Sequence, residues 1–179
     1  MKPKALLLFI ILFSTTAFAR YTPVKDILYY QVNISQPVIS DSSNAKGDKY
    51  EDLTLLESRV TEPENNTTGN SGWKIITPSA DSVYRVDKPE KGHRISLWKF
   101  YLNTDRYLPL KVEIKSANPF IVYLDGEKKA DKKTFESKVG NAKKTTVTLD
   151  AEPKQYTFII KMLTSDDDSC ETVLFAEVK

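Results

Sequence analysis

Asp125-Gly126, set between two runs of β-forming residues, most constrains the fold of this chain. Asp-Gly favours a two-residue type I′ hairpin turn, because both central residues need positive φ. Phe120 to Leu124 precedes it as a strand. Upstream, Leu108 to Ile114 alternates, with Leu108, Leu110, Val112 and Ile114 on one face and Lys111, Glu113 and Lys115 on the other. That period of two marks a strand with one buried face. Arg94 to Leu102 is apolar and aromatic on both sides, as expected of a strand enclosed between two layers. Thr145 to Leu149, Tyr156 to Leu163 and Thr172 to Val178 continue the series. Trp73 to Ile76 and Asp81 to Val86 read as short strands before it. Ile27 to Ile34 opens it, with Leu28, Tyr30, Val32 and Ile34 sharing a face. Short strands at this spacing, with turn chemistry between them, predict an all-β, antiparallel β-sandwich. At most one short helix is expected, over Tyr50 to Glu57, capped by Asp48 with Glu51 three residues on.

The first nineteen residues stand apart. Lys2 and Lys4 precede the apolar run Ala5 to Phe13, and Ala17-Phe18-Ala19 offers small residues at a cleavage site. Residues 1–19 are read as a signal peptide cut after Ala19, and the protein as secreted or periplasmic. The residue directly after the cut is Arg20 and not cysteine, so no lipid anchor is expected. The apolar run is too short to span a bilayer, and no membrane span is expected. Residues 20–179 suffice for a single β-sandwich domain. Residues 36–72, rich in Ser, Asn, Asp, Gly and Glu, are expected to be mainly a long polar loop. The chain has 26 Lys and Arg against 24 Asp and Glu; loss of Lys2 and Lys4 leaves 24 against 24. A neutral domain lacks the basic footprint of a nucleic-acid binder. Cys170 is the only cysteine, so no internal disulfide forms, and it reads as a small buried apolar residue.

Catalytic signals are sparse. His93 is the only histidine and reads as an exposed loop residue. No nucleophile-elbow, Walker or dinucleotide motif occurs, and two His and Cys residues in total cannot complete a zinc site. The chain is therefore read as no enzyme, with no metal site and no cofactor. Asp166-Asp167-Asp168 could offer oxygens to a structural calcium ion but lacks the spaced ligands of a defined calcium loop. A solvated loop is expected there, with structural calcium the alternative. Glu127 to Lys133 reads as a solvated hairpin arm or charged edge. Asn33, Asn65 and Asn66 begin N-glycosylation triplets, which matter only in a eukaryotic host.

The aromatics Trp73, Tyr84, Trp98, Phe100, Tyr101, Tyr107, Phe120 and Tyr123 run over successive strands. Most such residues in an all-β domain pack in the core. Around Tyr101 and Tyr107, however, Asn103, Asp105 and Arg106 supply the hydrogen-bonding partners that a sugar ring stacked on tyrosine needs. These five form the candidate ligand-binding set.

The segment Phe100-Tyr101-Leu102, Leu110 to Ile114, Pro119 to Lys128 and Pro153 to Lys161 resembles galactose-binding-like jelly rolls. Asp125-Gly126 stands where Asn-Gly is common in them. The resemblance implies a jelly-roll sandwich, similar to N-terminal accessory domains of exported bacterial TolB-like propeller and peptidase proteins. It implies a binding or accessory module, with carbohydrate as the first ligand. The alternative is a docking domain for a partner protein or for a further domain of a larger protein. The hairpin motif itself specifies a fold and no ligand.

Overall fold

The stretch that is apolar on both sides forms the middle of the molecule. The computed structural model describes residues 22–34, 72–80, 83–87, 93–136, 138–165 and 173–178. In these residues the strands are β1 (Thr22–Pro23), β2 (Ile27–Ile34), β3 (Lys74–Ile76), β4 (Tyr84–Arg85), β5 (His93–Asn103) and β6 (Leu108–Lys115). They continue with β7 (Phe120–Leu124), β8 (Glu127–Lys132), β9 (Thr145–Ala151), β10 (Gln155–Ser165) and β11 (Val173–Val178). A 3₁₀ turn at Val139–Asn141 is the one helical element among the described residues. Residues 1–19 and 36–71, including Tyr50 to Glu57, and Asp166 to Asp168 and Cys170 lie outside them.

Two antiparallel sheets result. One has six strands in the order β3-β2-β5-β10-β7-β8; the other runs β1-β11-β6-β9, with β4 also paired to β11. From β5 onward the chain crosses between layers: β6, β9 and β11 lie in one sheet, and β5, β7, β8 and β10 in the other. This winding is that of a jelly roll, the antiparallel β-sandwich that the strand pattern predicts.

β5 and β10 pair over eleven residues each, from Asn103 opposite Gln155 to His93 opposite Ser165. Their inward side chains meet those of β6 and β9 in one core, which holds Ile27, Tyr29, Trp98, Phe100, Val112, Ile114, Phe158 and Ile160. Phe100 and Phe158 are opposite in register and stack at 5.0 Å with planes 2° apart. Tyr29 and Trp98, opposite across β2 and β5, meet edge-on at 4.9 Å. Such pairs add about 0.5–1.5 kcal/mol beyond the area they bury. The buried Trp98 indole donates to Ser96 Oγ at 2.8 Å, so its one polar atom is satisfied.

The outer face of the six-stranded sheet is apolar too. Ile95, Leu97, Ile121 and Leu163 form a second buried cluster with Trp73, joined by Leu28, Tyr30, Val32 and Phe135. Leu28, Tyr30 and Val32 do share a face, as expected, but the deeper face of β2 carries Ile27 and Tyr29.

The hairpin turn forms as its residues predict, with φ of 51° at Asp125 and 84° at Gly126. Asp125 also extends the sheet beyond β7. Its amide donates to Thr157 O at 2.9 Å, and its Oδ1 accepts from Thr157 N at 2.8 Å. β8 is a charged edge strand, as expected of the lysine-rich arm, but Lys132 is buried. Its ammonium is bound by the Glu136 carboxylate and by the carbonyls of Thr134, Ala117 and Asn118. β5 begins one residue earlier than expected, so the backbone of His93 lies in a strand.

Tyr84 is fully buried and donates its hydroxyl to the carbonyl of Val24, tying β4 to the segment before β2. Burial, with a smaller contribution from the Asp26 charge, pushes its phenol up to about 12. The folded state thus keeps this phenol neutral where the unfolded chain ionises it near pH 10. Its contribution to stability is complete below pH 10 and lost as pH rises from about 10 to about 12. Tyr84→Phe is expected to cost about 0.5–1.5 kcal/mol at neutral pH through the lost hydrogen bond. It should also flatten the fall in stability between pH 10 and 12, read by urea denaturation across that range.

Candidate functional site

At Tyr101 strand β5 leaves the core. Alternation puts Phe100 inward and Tyr101 outward on the six-stranded sheet, with Leu102 partly buried and Asn103 exposed. Residues 104–107 then cross to the other sheet, where β6 begins at Leu108.

The crossover is fastened to the neighbouring turn between β9 and β10. Thr104 N donates to Lys154 O at 3.0 Å, Lys154 N donates to Thr104 Oγ1 at 3.4 Å, and Thr104 Oγ1 bonds the carbonyl of Glu152. Gln155 Nε2 donates to Asn103 Oδ1 at 3.1 Å. Lys154 reaches on to the hairpin turn, with its ammonium 3.2 Å from Asp125 Oδ2 and 4.6 Å above the Tyr156 ring. Glu152 N donates to Tyr156 Oη at 2.6 Å. Three turns, 104–107, 125–126 and 152–154, are thereby held together at one end of the sandwich.

All five candidate residues lie on this end or at its margin. Tyr107 is 77% exposed and Tyr101 39%. The side chains of Asp105 and Arg106 stand almost free in solvent, with 3.9 Å between Arg106 Nε and Asp105 Oδ1. At that exposure the pair adds little to stability and leaves both groups open to a ligand. The two tyrosines belong to different layers. Tyr101 stands on the six-stranded sheet, whereas Tyr107 sits at the entry to β6 in the other. A single ligand touching both must reach across the end of the sandwich.

The remaining aromatics of the sequence pattern are mostly structural. Trp73, Tyr84, Trp98, Phe100 and Phe120 are all at most 1% exposed. Tyr123 is half-buried under Lys161, whose ammonium lies 5.9 Å from its ring centre.

Sequence reasoning did not single out Lys99. It lies on the outward face of β5, with its ammonium 5.7 Å from the Tyr101 ring centre and 5.4 Å from that of Trp73. Counting in twos from Phe100 puts Lys99 and Tyr101 on one face, a signal present in the sequence. Ile75 on β3 is a second unflagged residue, an aliphatic side chain 59% exposed. Among the described residues no group of three or more His, Cys, Asp or Glu could hold a metal ion. No helix among them is long and apolar enough to cross a membrane.

Thr104→Ala removes the side-chain half of the fastening. It is expected to cost about 1 kcal/mol and to speed amide hydrogen exchange at residues 104–107 and 152–154. Exchange in the middle of β5 and β10 should stay slow, as mass spectrometry of peptides from both regions would show.

No protein-family model and no curated protein matches this chain. Several solved structures resemble it in part. A PA14 sugar-binding domain from an RTX adhesin aligns over 87% of this chain and 90% of its own, at 10% identity and a TM-score of 0.46. A family 35 carbohydrate binding module from Clostridium thermocellum aligns over 63% and 83%, at 10% identity and a TM-score of 0.38. A β-glucosidase from Kluyveromyces marxianus aligns over 51% of this chain, at 12% identity and a TM-score of 0.42. This chain covers only 12% of that glucosidase. Identities and scores at this level do not bear on what the chain binds.

Proposed function

We propose that the chain is an exported, non-catalytic β-sandwich binding module whose ligand surface is the crossover from Tyr101 to Tyr107, with carbohydrate as its ligand. One observation carries the reading. Of the aromatic side chains in the sequence pattern, the only two exposed ones flank Asn103, Asp105 and Arg106 on a crossover tied through Thr104 to Glu152 and Lys154. The export step rests on the leader-like residues 1–19.

The chemistry follows from the residue types. A tyrosine ring offers an apolar face to the C–H face of a pyranose, and its hydroxyl remains free to bond. An ionised carboxylate accepts from sugar hydroxyls, a guanidinium donates, and an amide does both. Because the tyrosines lie in different layers, the fitting ligand is an oligosaccharide that lays separate units on each ring. The fastening of 104–107 to 152–154 limits the ordering cost on binding.

A second reading, a domain that docks on a partner protein, is favoured by exposed Ile75 on the edge strand β3.

A glycan array separates the two readings. The wild-type chain is expected to bind a restricted set of oligosaccharides. Tyr101→Ala and Tyr107→Ala should each weaken that binding about tenfold or more. Both should melt within a few degrees of wild type, because surface substitutions change stability by about 0.5 kcal/mol or less. A folded wild type that binds no glycan, or whose binding ignores both substitutions, rejects the carbohydrate reading and leaves the docking one.

A further inference from the structure

The sandwich protects its sheet edges unequally. On the six-stranded sheet one edge is β3, three residues long, and the other is β8. β8 reads Glu-Lys-Lys-Ala-Asp-Lys, charged at five of six positions. On the other sheet β1 and β4 are two residues each. Short and charged strands are the usual means of keeping an edge from pairing with another chain. β9 has neither protection. It is seven residues long, runs Thr-Thr-Val-Thr-Leu without a charge before Asp150, and pairs on one side with β6. No strand among the described residues pairs with its other side.

We infer that β9 is a homodimerisation edge, pairing antiparallel with β9 of a second copy to join two five-stranded sheets into one continuous sheet. Charge selects the occupant and the register. Inward positions of β9 are Thr145, Val147, Leu149 and Ala151; outward ones are Thr146, Thr148 and Asp150. Two-fold pairing centred on Val147 sets Thr145 opposite Leu149 and Thr146 opposite Thr148. Thr145, Val147 and Leu149 then meet inward residues of the copy, as the pleat requires. The same register sets Lys144, just before the strand, opposite Asp150 at both ends. Lys144 already points to the outer face, where its ammonium lies 2.5 Å from Glu113 Oε2. The strand therefore complements its own copy in shape and in charge, as an isologous contact must. β8 runs beside β9 as the matching edge of the other layer. Its exposed charges pair within the strand, Lys129 with Glu127 at 2.7 Å and Lys128 with Asp131 at 3.3 Å, and its buried Lys132 is bound by Glu136.

Analytical ultracentrifugation of the chain as the producing cell releases it tests this. One strand pair is a small interface, so a monomer–dimer equilibrium weaker than about 1 μM is expected. Asp150→Lys turns both end contacts from attractive to repulsive and should raise the dissociation constant about tenfold or more. Its melting temperature should hold, because Asp150 is exposed. Lys144→Glu should weaken the dimer alike. An equimolar mixture of the two variants restores an opposite-charge contact at both ends and should regain the dimer that each alone loses. Lys74→Glu, on β3 at the opposite edge of the six-stranded sheet, should leave it intact. The inference is overturned by a chain that stays monomeric to about 1 mM. A dimer indifferent to Asp150→Lys, or one broken by Lys74→Glu, overturns it as well. If Lys144→Glu fails to fold, the response to Asp150→Lys decides.

Discussion

The eleven-residue pairing of β5 with β10 is the constraint on which the structure depends, because it makes a ribbon that is buried on both faces. Every residue from Arg94 to Phe100 is buried, and so is every residue from Ile160 to Thr164. A strand pair of that kind cannot stand at the surface of a two-layer sandwich with one face in water. The five-stranded sheet covers one face. On the other, Trp73 and Phe135 pack over Ile95, Leu97, Ile121 and Leu163. Phe135 is placed there by the Lys132 cage, which fixes the chain as it leaves β8, and by the bond from Glu136 N to Ala117 O at 2.7 Å. Two lysines, Lys99 and Lys161, fit into this apolar layer by laying their stems along it and their ammonium groups against tyrosine and tryptophan rings.

The fold was legible where one local rule settled the matter. Asp125-Gly126 needed only its own backbone preference. The core-facing residues of β6 needed only the alternation of one-sided burial. Legibility failed where two distant segments shared the outcome. On β2 both faces are apolar, so alternation could separate Ile27 and Tyr29 from Leu28 and Tyr30 but could not rank them. Glu113 sits on the outward face of β6 and reads as solvated, yet it is buried between Lys111 at 3.4 Å and Lys144, thirty-one residues along. Lys132 reads as one more lysine of a charged arm. Its burial depends on carbonyls at Ala117 and Asn118, from a turn on the far side of β7.

The candidate site divides in the same way. Its residue types were legible, because tyrosines beside Asn, Asp and Arg are chemically distinctive without any structure. Its shape was not. Tyr101 and Tyr107 are six residues apart and read as neighbours on one surface, whereas the crossover assigns one to each sheet. That assignment depends on which strand pairs with β6, and the partners β9 and β11 lie thirty to seventy residues downstream. Tyr84, Trp98, Phe100 and Phe120 went to the interior on buried positions of their strands, whereas Trp73, just before β3, is buried by packing over Ile95, Leu97, Ile121 and Leu163.

The winding that buries β5 and β10 also fixes where the molecule can interact. The crossings at 104–107 and 152–154 and the hairpin turn at 125–126 share an end of the sandwich because β5, β7 and β10 are consecutive neighbours in one sheet. Their backbone groups bond each other, as Thr104 does with Lys154 and Asp125 with Thr157, so the exposed rings and charges sit on a braced surface. The sides of the sandwich follow different rules, since an open sheet has unpaired backbone along its edges whatever its side chains are. Charge covers that backbone on β8, and shortness limits it on β1, β3 and β4. On β9 neither does, and its backbone groups with no strand partner among the described residues can be satisfied by water or by a strand of matching pleat. The end is thus suited to reading side-chain chemistry, and the β9 side to reading backbone.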